Sequence, residues 1–173
     1  VGPGDGDGDG DGETGAEPCV PWTHQFGTGV TDLGFAIARH GDGSFYVAGR
    51  ADGDLEGESV AGIRDGFLTK YSPDGLRQWT RLIGTDEGDT AWAIDVNEGG
   101  EVFVVGDTWG LFPGYFVGGL VEAFVTKYSP DGERVWLRQL GGPGSSYGYG
   151  VAVNTNGDAY VTGHSSDFEG VAG

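Results

Sequence analysis

The chain has 173 residues, 37 of them glycine, and a formal net charge of −18. Aromatic residues make up 12% of it and hydrophobic residues 37%, too many for a chain that is disordered throughout. There is no Gly-x-y period of collagen and no apolar run long enough for a membrane-spanning helix. An acidic chain with nine Lys and Arg offers little to phosphate backbones, so we expect no nucleic-acid partner.

The segment 1–19 alternates Gly with Asp and contains almost no apolar side chain. Such a segment gains too little from burial to offset its ordering entropy, so residues 1–19 are predicted to be a disordered acidic tether. Cys19 has no second cysteine to pair with, and its role stays open. The chain contains no methionine, so we expect it to be processed or to be part of a longer protein, and no signal peptide is visible in it.

The rest of the chain consists of copies of one unit. Trp22, Trp79 and Trp136 are equally spaced and mark the period, and 23 of 57 positions are identical between the first two copies without a gap. Each copy contains short apolar stretches of period two that end at Gly, Asp or Pro, which indicates β-strands. Ser-Pro-Asp-Gly at residues 72–75 and 129–132 is typical of a tight turn between two strands.

Four strands are predicted in each unit. In chain order they lie at residues 35–39, 45–49, 66–71 and 77–83, then at 92–96, 102–106, 123–128 and 134–140, with one further strand before them at 22–27 and two after them at 149–153 and 159–163. Four antiparallel strands per repeat of this length are typical of a β-propeller blade. The predicted fold class is all-β, with blades in an incomplete ring, because these strands are fewer than the sixteen of a four-bladed ring.

The predicted domain organisation follows from these strands. The tether covers residues 1–19 and the propeller region covers residues 20–173. Within that region the units are residues 22–34 of a preceding blade, a blade at 35–91, a second blade at 92–148 and a partial blade at 149–173. An incomplete ring exposes strand edges and apolar faces at its two ends, so self-association is expected.

The repeated pattern resembles a known family. Asp-Gly-Phe-Leu-Thr-Lys-Tyr-Ser-Pro-Asp-Gly at residues 65–75, followed by Trp79, and Tyr-Val-Thr-Gly at residues 160–163 are similar to the bacterial SBBP repeat, which is named for a seven-bladed β-propeller. The resemblance covers residues 22–173 and departs from the pattern in the second loop, residues 107–119. It implies a bacterial protein that is secreted or exposed at the cell surface, and it implies no reaction.

An acidic cluster in the first loop is a speculative calcium site. Its members alternate along the chain and are replaced by unrelated residues one repeat later, so the scaffold does not require them: Asp52, Asp54, Glu56 and Glu58. Carboxylates at alternate positions can converge on Ca²⁺, although the Asp-Gly run of the tether fails the EF-hand spacing. A plain solvated loop and a contact with a partner remain the alternatives; no other cofactor is expected.

Four aromatic residues in the second loop are a speculative ligand-binding site. Trp109, Phe112, Tyr115 and Phe116 lie close together in what is predicted to be a surface connection. Aromatic rings on a propeller face suit the docking of a protein or the stacking of a sugar. The alternative is that they fold back and cover the edge of the blade.

These features favour a binding module over an enzyme. The chain shows no nucleophile motif, phosphate-binding loop or zinc-ligand spacing, so we expect no catalytic residues and no enzyme activity. The expected function is an extracellular interaction module that recognises a protein or a carbohydrate through its blade loops. Two alternatives stay open: part of a propeller hydrolase or lyase whose catalytic residues lie elsewhere, and a structural spacer at the cell surface.

Overall fold

The computed structural model describes residues 23–116 and 119–166, and every regular element in this part of the chain is a β-strand. The ten strands are β1 (Asp32–Arg39), β2 (Phe45–Ala51), β3 (Asp65–Tyr71), β4 (Arg77–Ile83), β5 (Asp89–Val96), β6 (Val102–Thr108), β7 (Glu122–Tyr128), β8 (Arg134–Leu140), β9 (Ser146–Val153) and β10 (Ala159–Ser165). No helix among the described residues is long and apolar enough to cross a membrane. The predicted tether and Cys19 lie outside the described residues.

The strands form two four-stranded sheets and one two-stranded sheet. The first sheet has the order β1-β2-β3-β4, the second β5-β6-β7-β8, and β9 pairs with β10. All neighbouring strands are antiparallel, and their order in each sheet is their order along the chain, which is the meander of a propeller blade. The prediction of an all-β fold with blades in an incomplete ring is confirmed for the described residues.

The strand bounds differ from the sequence prediction chiefly in two ways, and the second strand of each unit also ends two positions later than predicted. The first strand of each unit begins three positions earlier than expected, at Asp32, Asp89 and Ser146, because these polar residues still pair with the end of the second strand. The strand predicted at 22–27 is wrong for its described part: residues 23–27 form no strand, since no neighbouring strand pairs with them there.

A β-bulge with an aromatic residue recurs in the first strand of every unit. The register between the first two strands shifts at Phe35, Trp92 and Tyr149, which occupy the same position in successive repeats. The ring centroids of Phe35 and Trp92 are 4.4 Å apart, and those of Trp92 and Tyr149 are 6.4 Å apart. Opposite the middle bulge, a Cβ on Gly106 would stand 1.9 Å from the carbonyl oxygen of Thr90, so only glycine fits.

The main hydrophobic core lies between the first two blades. It joins residues from both sheets, among them Tyr46 and Leu68 of the first blade and Val104 and Phe124 of the second. All seven residues of β6 are buried, which shows that this sheet is covered on both faces. The blades are therefore stabilised by packing against each other, as in other propellers.

Polar contacts connect the outer strands of the two blades. Lys70 Nζ and Trp79 Nε1 both donate to the carbonyl oxygen of Pro130, at 3.0 and 3.1 Å. Arg81 Nε donates to the carbonyl oxygen of Gly132 at 2.9 Å. We call Lys70, Trp79 and Arg81 the docking triad of the first blade, because together they hold the Ser-Pro-Asp-Gly turn of the next one. The tryptophan that marks the sequence repeat is thus an interblade residue.

Gly132 tests this junction. Its φ is +84° and a Cβ there would lie 2.9 Å from the Trp79 ring, whereas Gly57 has a φ of +94° and nothing within 4 Å of its Cβ position. We expect Gly132→Ala to lower the free energy of unfolding by about 2–4 kcal/mol, because it adds a clash to the left-handed backbone strain.

The control Gly57→Ala adds only the backbone strain, about 1–2 kcal/mol. Thermal and urea unfolding of the two variants measures the difference. Equal losses for both would contradict a tight contact between the Gly132 turn and Trp79.

Candidate interaction surface

The long loops of the first two blades and the connection between the blades lie at one end of the sheets. Residues 52–64 join β2 to β3, residues 109–121 join β6 to β7, and residues 84–88 lead from β4 into β5. In antiparallel blades these three segments all leave or enter strands at the same end. The short hairpin turns lie at the opposite end. Any ligand site built from variable residues is therefore expected at the long-loop end.

Backbone hydrogen bonds connect the three segments. The amide of Ile63 donates to the carbonyl of Glu87 at 3.0 Å, and that of Trp109 donates to the carbonyl of Gly88 at 3.0 Å. The guanidinium carbon of Arg64 lies 5.4 Å from the centre of the Trp109 ring, within range of a cation–π interaction. The two loops and the connection therefore form one continuous surface.

The structure separates the four predicted aromatic residues into two pairs. Phe112 is only 3% exposed and packs edge-on against Phe124, with ring centroids 5.6 Å apart. The Tyr115 hydroxyl donates to the carbonyl oxygen of Leu137 at 2.8 Å, and its ring packs against the core. Trp109 and Phe116 are 56% and 91% exposed. Two of the four side chains are thus available to a ligand, and the other two hold the loop on its blade.

The sequence contained a signal for the buried role of Phe112. One repeat earlier, the aligned residue is Leu55, which is completely buried with Ala51 and Phe67. A position that stays apolar in both loops, while its neighbours change from acidic to aromatic, indicates core packing. Trp109 and Tyr115 align instead with Asp52 and Glu58, so no such signal existed for them.

Exposed apolar side chains collect on this end of the molecule. We call them the loop face: Ile63, Trp109, Leu111, Phe116 and Leu120. Trp109, Leu111 and Leu120 line one small depression together. Several exposed apolar side chains at one end of a folded protein are typical of an interaction site.

Each of the four carboxylates of the acidic cluster in the first loop contacts a different residue. Three of its members lie beside arginines: Asp52 with Arg50 at 2.9 Å, Glu56 with Arg77 at 3.0 Å and Glu58 with Arg81 at 3.4 Å. The fourth, Asp54, accepts a hydrogen bond from the amide of Val60 at 3.1 Å. These contacts attach the loop to β2 and β4, which gives the carboxylates a structural role.

No group of three or more His, Cys, Asp or Glu in residues 23–116 and 119–166 is close enough to hold a metal ion. The calcium site at Asp52, Asp54, Glu56 and Glu58 therefore stays a prediction without geometric support. Ca²⁺ takes six to eight oxygen ligands, and carboxylates that face different arginines do not provide such a set.

Two buried carboxylates beneath the loop face were not predicted. Asp89 is fully buried and accepts hydrogen bonds from the Thr85 amide at 2.7 Å and the Thr85 hydroxyl at 3.0 Å. Asp65, 1% exposed, accepts one from the amide of Ala61 at 3.0 Å. Burial raises the pKa of Asp89 to about 6, and the neighbouring Asp65 carboxylate acts in the same direction. Burial likewise raises the pKa of Asp65.

These carboxylates hold loops in place. Asp89 fixes the connection between the blades, and Asp65 fixes the end of the first loop, next to Arg64. The pattern Gly-Thr-x-x-x-Asp at residues 27–32 and 84–89 was the available signal, and in the first unit Asp32 accepts the same pair of bonds from Thr28. Because Asp65 and Asp89 are closed off from solvent, they suit anchoring better than proton transfer to a substrate.

Truncation separates the two roles of the aromatic loop. We expect Phe112→Ala to cost about 3–5 kcal/mol of unfolding free energy, because it leaves a cavity against Phe124. Phe116→Ala, the matched change at an exposed site in the same loop, should change stability by less than about 0.5 kcal/mol. Denaturant unfolding of both variants measures these changes. A small loss of unfolding free energy for Phe112→Ala would contradict the packing of its ring in the core.

Asp89 gives the stability a dependence on pH. Its pKa of about 6 in the folded protein is above the ordinary value of 3.8, so the folded chain binds this proton more tightly than the unfolded chain. Protonated Asp89 therefore makes its full contribution to the free energy of unfolding below about pH 4. As the pH rises through 6 the carboxyl ionises in the folded protein, and the free energy of unfolding falls by at most about 3 kcal/mol.

Asp89→Asn cannot ionise and should lack this loss. Relative to the variant, the wild type is expected to lose stability between pH 4 and 7, as followed by urea unfolding at each pH. Asp86→Asn makes the same change of charge on the exposed surface nearby and is the control. If the difference in unfolding free energy between the wild type and Asp89→Asn does not change between pH 4 and 7, the raised pKa of Asp89 is contradicted.

Comparison with known proteins agrees with this architecture. Residues 135–168, from β8 through β10, match the model of the SBBP beta-propeller repeat. The chain is also 31% identical over 147 residues to the regulatory protein FlaEY of Caulobacter vibrioides, an alignment that covers 76% of this chain and 15% of that protein. The chain thus spans a small part of the length of this relative. One stretch of the chain, which begins in the last strand of the second blade and includes β9 and β10, thus matches the SBBP beta-propeller repeat, and the two four-stranded sheets have the meander expected of such repeats.

Proposed function

We propose that the chain is a non-catalytic protein-binding module that docks a partner through the loop face. The single observation behind this proposal is the exposure of Trp109 and Phe116 on a loop that is held in place by backbone hydrogen bonds and by the buried side chains of its other two aromatic residues. Large aromatic side chains on a fixed frame lose little entropy on binding, which is why they are enriched among residues that dominate binding energy.

The surroundings of Trp109 favour a protein over a sugar. One side of the indole is occupied by the Arg64 guanidinium, and the loop face around it supplies the aliphatic Ile63, Leu111 and Leu120. Sugar sites combine a free ring face with polar groups that fix the orientation of the hydroxyls. An aliphatic surround with an arginine resembles instead the core of a protein–protein interface.

The charge of the chain suggests the character of the partner. With a net charge of −18, the chain attracts basic surfaces and repels acidic ones. Exposed Asp54, Asp86 and Glu87 lie on the same loops and connection as the loop face. We therefore propose a partner with an apolar patch flanked by Lys or Arg, whose association rate falls as salt is added.

The location outside the cell is part of this proposal. It is supported by the resemblance to secreted and surface-exposed repeat proteins, and the name of FlaEY as a regulatory protein is compatible with an interaction role. Fractionation of the source cells with an antibody against the folded region checks it. Recovery of the protein in the cytoplasmic fraction alone would rule out this part of the proposal.

Paired variants test the binding site. We expect Trp109→Ala combined with Phe116→Ala to weaken partner binding at least about tenfold, since each removes an exposed anchor, and to leave the melting temperature within about 2 °C of the wild type. Quantitative mass spectrometry of proteins retained on the immobilised chain measures the loss. Ile37→Ala, which truncates an exposed apolar side chain near the opposite end of β1, is the control.

The outcomes separate the candidate functions. Partners lost with the loop-face variant and kept with Ile37→Ala support protein docking there. Retention of all partners by both variants contradicts it. Binding on a glycan array that is lost with Trp109→Ala would favour a carbohydrate ligand instead.

A further inference from the structure

The turn between β1 and β2 contacts the equivalent turn of the second blade through a histidine. The Nε2 atom of His40 is 3.0 Å from the carbonyl oxygen of Glu98, in the turn between β5 and β6. Its Nδ1 atom is 2.9 Å from a carboxylate oxygen of Asp42, in its own turn. The imidazole therefore lies between two oxygen atoms, one in each blade. This contact is at the hairpin end of the sheets, opposite the loop face.

Both of these oxygen atoms accept hydrogen bonds and donate none. A carbonyl has no proton to give. The pKa of Asp42 is lowered to about 2, mainly by the hydroxyl and the amide of Ser44, so this carboxyl is ionised at any higher pH. A neutral imidazole has one N–H group, whereas an imidazolium has two. Only the imidazolium form of His40 can thus donate to Glu98 and Asp42 together.

The neutral form of His40 has to give up one of the two bonds. A hydrogen bond to a carboxylate is stronger than one to a neutral carbonyl, so the remaining proton stays on Nδ1 and faces Asp42. Nε2 then presents a lone pair to the carbonyl oxygen of Glu98, which also has only lone pairs to offer. Loss of the proton therefore removes the bond between the blades and keeps the bond within the first turn.

The equivalent position in the other units is an asparagine that serves its own turn. Asn97 and Asn154 are the counterparts of His40 one and two repeats later. Each donates through Nδ2, at 2.8 Å, to the acidic residue four positions further along the chain. In the first unit Asp42 holds the backbone of the turn instead, and the side chain of His40 extends to the next blade. The propeller scaffold therefore does not require a histidine at this position.

The charged groups around the imidazole favour its protonated form. Donation to the carbonyl of Glu98 is the largest influence and raises the pKa of His40 above its ordinary value of 6.5. Partial burial of the ring opposes this effect, the Asp42 carboxylate adds to it, and the ammonium group of Lys70 on β3 opposes it. The net result is a raised pKa, so the folded protein binds this proton more tightly than the unfolded chain does.

A second bond to the same turn does not depend on pH near neutrality. The hydroxyl of the buried Tyr46 donates to the carbonyl oxygen of Gly100 at 3.1 Å. Burial raises the pKa of Tyr46 to about 12, so its hydroxyl keeps its proton. The turns stay in contact through Tyr46 when the bond from His40 is broken.

We propose that His40 is a proton-dependent latch between the first and second blades. As the imidazolium it joins residues 40–44 to residues 97–101, and as the neutral imidazole it releases the second turn. The latch stabilises the folded protein fully below about pH 6.5, and this contribution is lost as the pH rises through the pKa of His40 in the folded state. It lies apart from the loop face and does not depend on the proposed function.

Nuclear magnetic resonance of the full chain measures the protonation of the latch. We expect the ring signals of His40, identified by their absence in His40→Gln, to titrate with a midpoint above 6.5. Asp42→Asn should lower this midpoint, because it removes the charge that favours the imidazolium and keeps an acceptor for Ser44. A midpoint at or below 6.5, or an unchanged midpoint in Asp42→Asn, overturns the proposal.

Urea unfolding shows whether this proton holds the blades together. A glutamine amide can donate to Glu98 and does not titrate, so the unfolding equilibrium constant of His40→Gln divided by that of the wild type should fall at least about threefold between pH 5.5 and 8. Asp89 is present in both proteins, and its contribution cancels. His40→Ala cannot make the bond and should unfold more readily than His40→Gln by the same factor at both pH values. A ratio of His40→Gln to wild type that is constant with pH contradicts the latch.

Discussion

Each sheet of this protein is apolar on both faces, and water can be excluded from both only when another sheet lies on each side. The burial of equivalent strands shows how strongly this constraint acts. All of β6 is buried because its sheet packs against the first blade on one side and against β9 on the other, and because β5 and β7 pair along its two edges. β10 occupies the same position one repeat later and is largely exposed among the described residues. Stability is therefore a property of neighbouring units, as in other repeat proteins.

Two devices hold the units in their places. Near the inner strands, a bulge turns one aromatic residue per unit toward the next, and a glycine opposite it lets the two backbones approach. At the outer strands, donors of the docking triad hold the turn of the next blade. Because the two devices act at opposite edges of a sheet, they fix both the distance and the tilt between blades. The loops are free to differ as a result.

The long-loop end combines a polar interior with an apolar exterior. Asp65 and Asp89 satisfy backbone amides that would otherwise be buried without partners, and on the outside Trp109 and Phe116 extend into water. Burying a carboxyl requires free energy, since its charged form is desolvated. The two carboxylates lie where loop amides have no partner strand and need another hydrogen-bond acceptor. The shape of the loop face thus depends on buried residues that are not part of it.

Much of the fold was predictable because the repeat gives every pattern twice. Ten of the eleven predicted strands and the turn positions followed from period-two stretches and from Ser-Pro-Asp-Gly. The strand starts were missed because Asp32 and Asp89 resemble loop residues, although their backbones pair in the ladder. The role of Phe112 was hidden by the aromatic residues around it. Pairing of the acidic cluster with arginines needed three-dimensional positions, since Arg77 and Arg81 are distant in the chain from Glu56 and Glu58.

The junction between blades has a direction: the triad belongs to one unit and the turn to the next, so the two surfaces differ. Each repeat unit contains both halves of the junction, and a duplicated unit therefore needs no new interface. Every added unit also places its long loop on the same rim as Trp109. Lengthening such an array increases its valency along one side, so that weak contacts of single loops can sum to avidity for a partner with repeated epitopes.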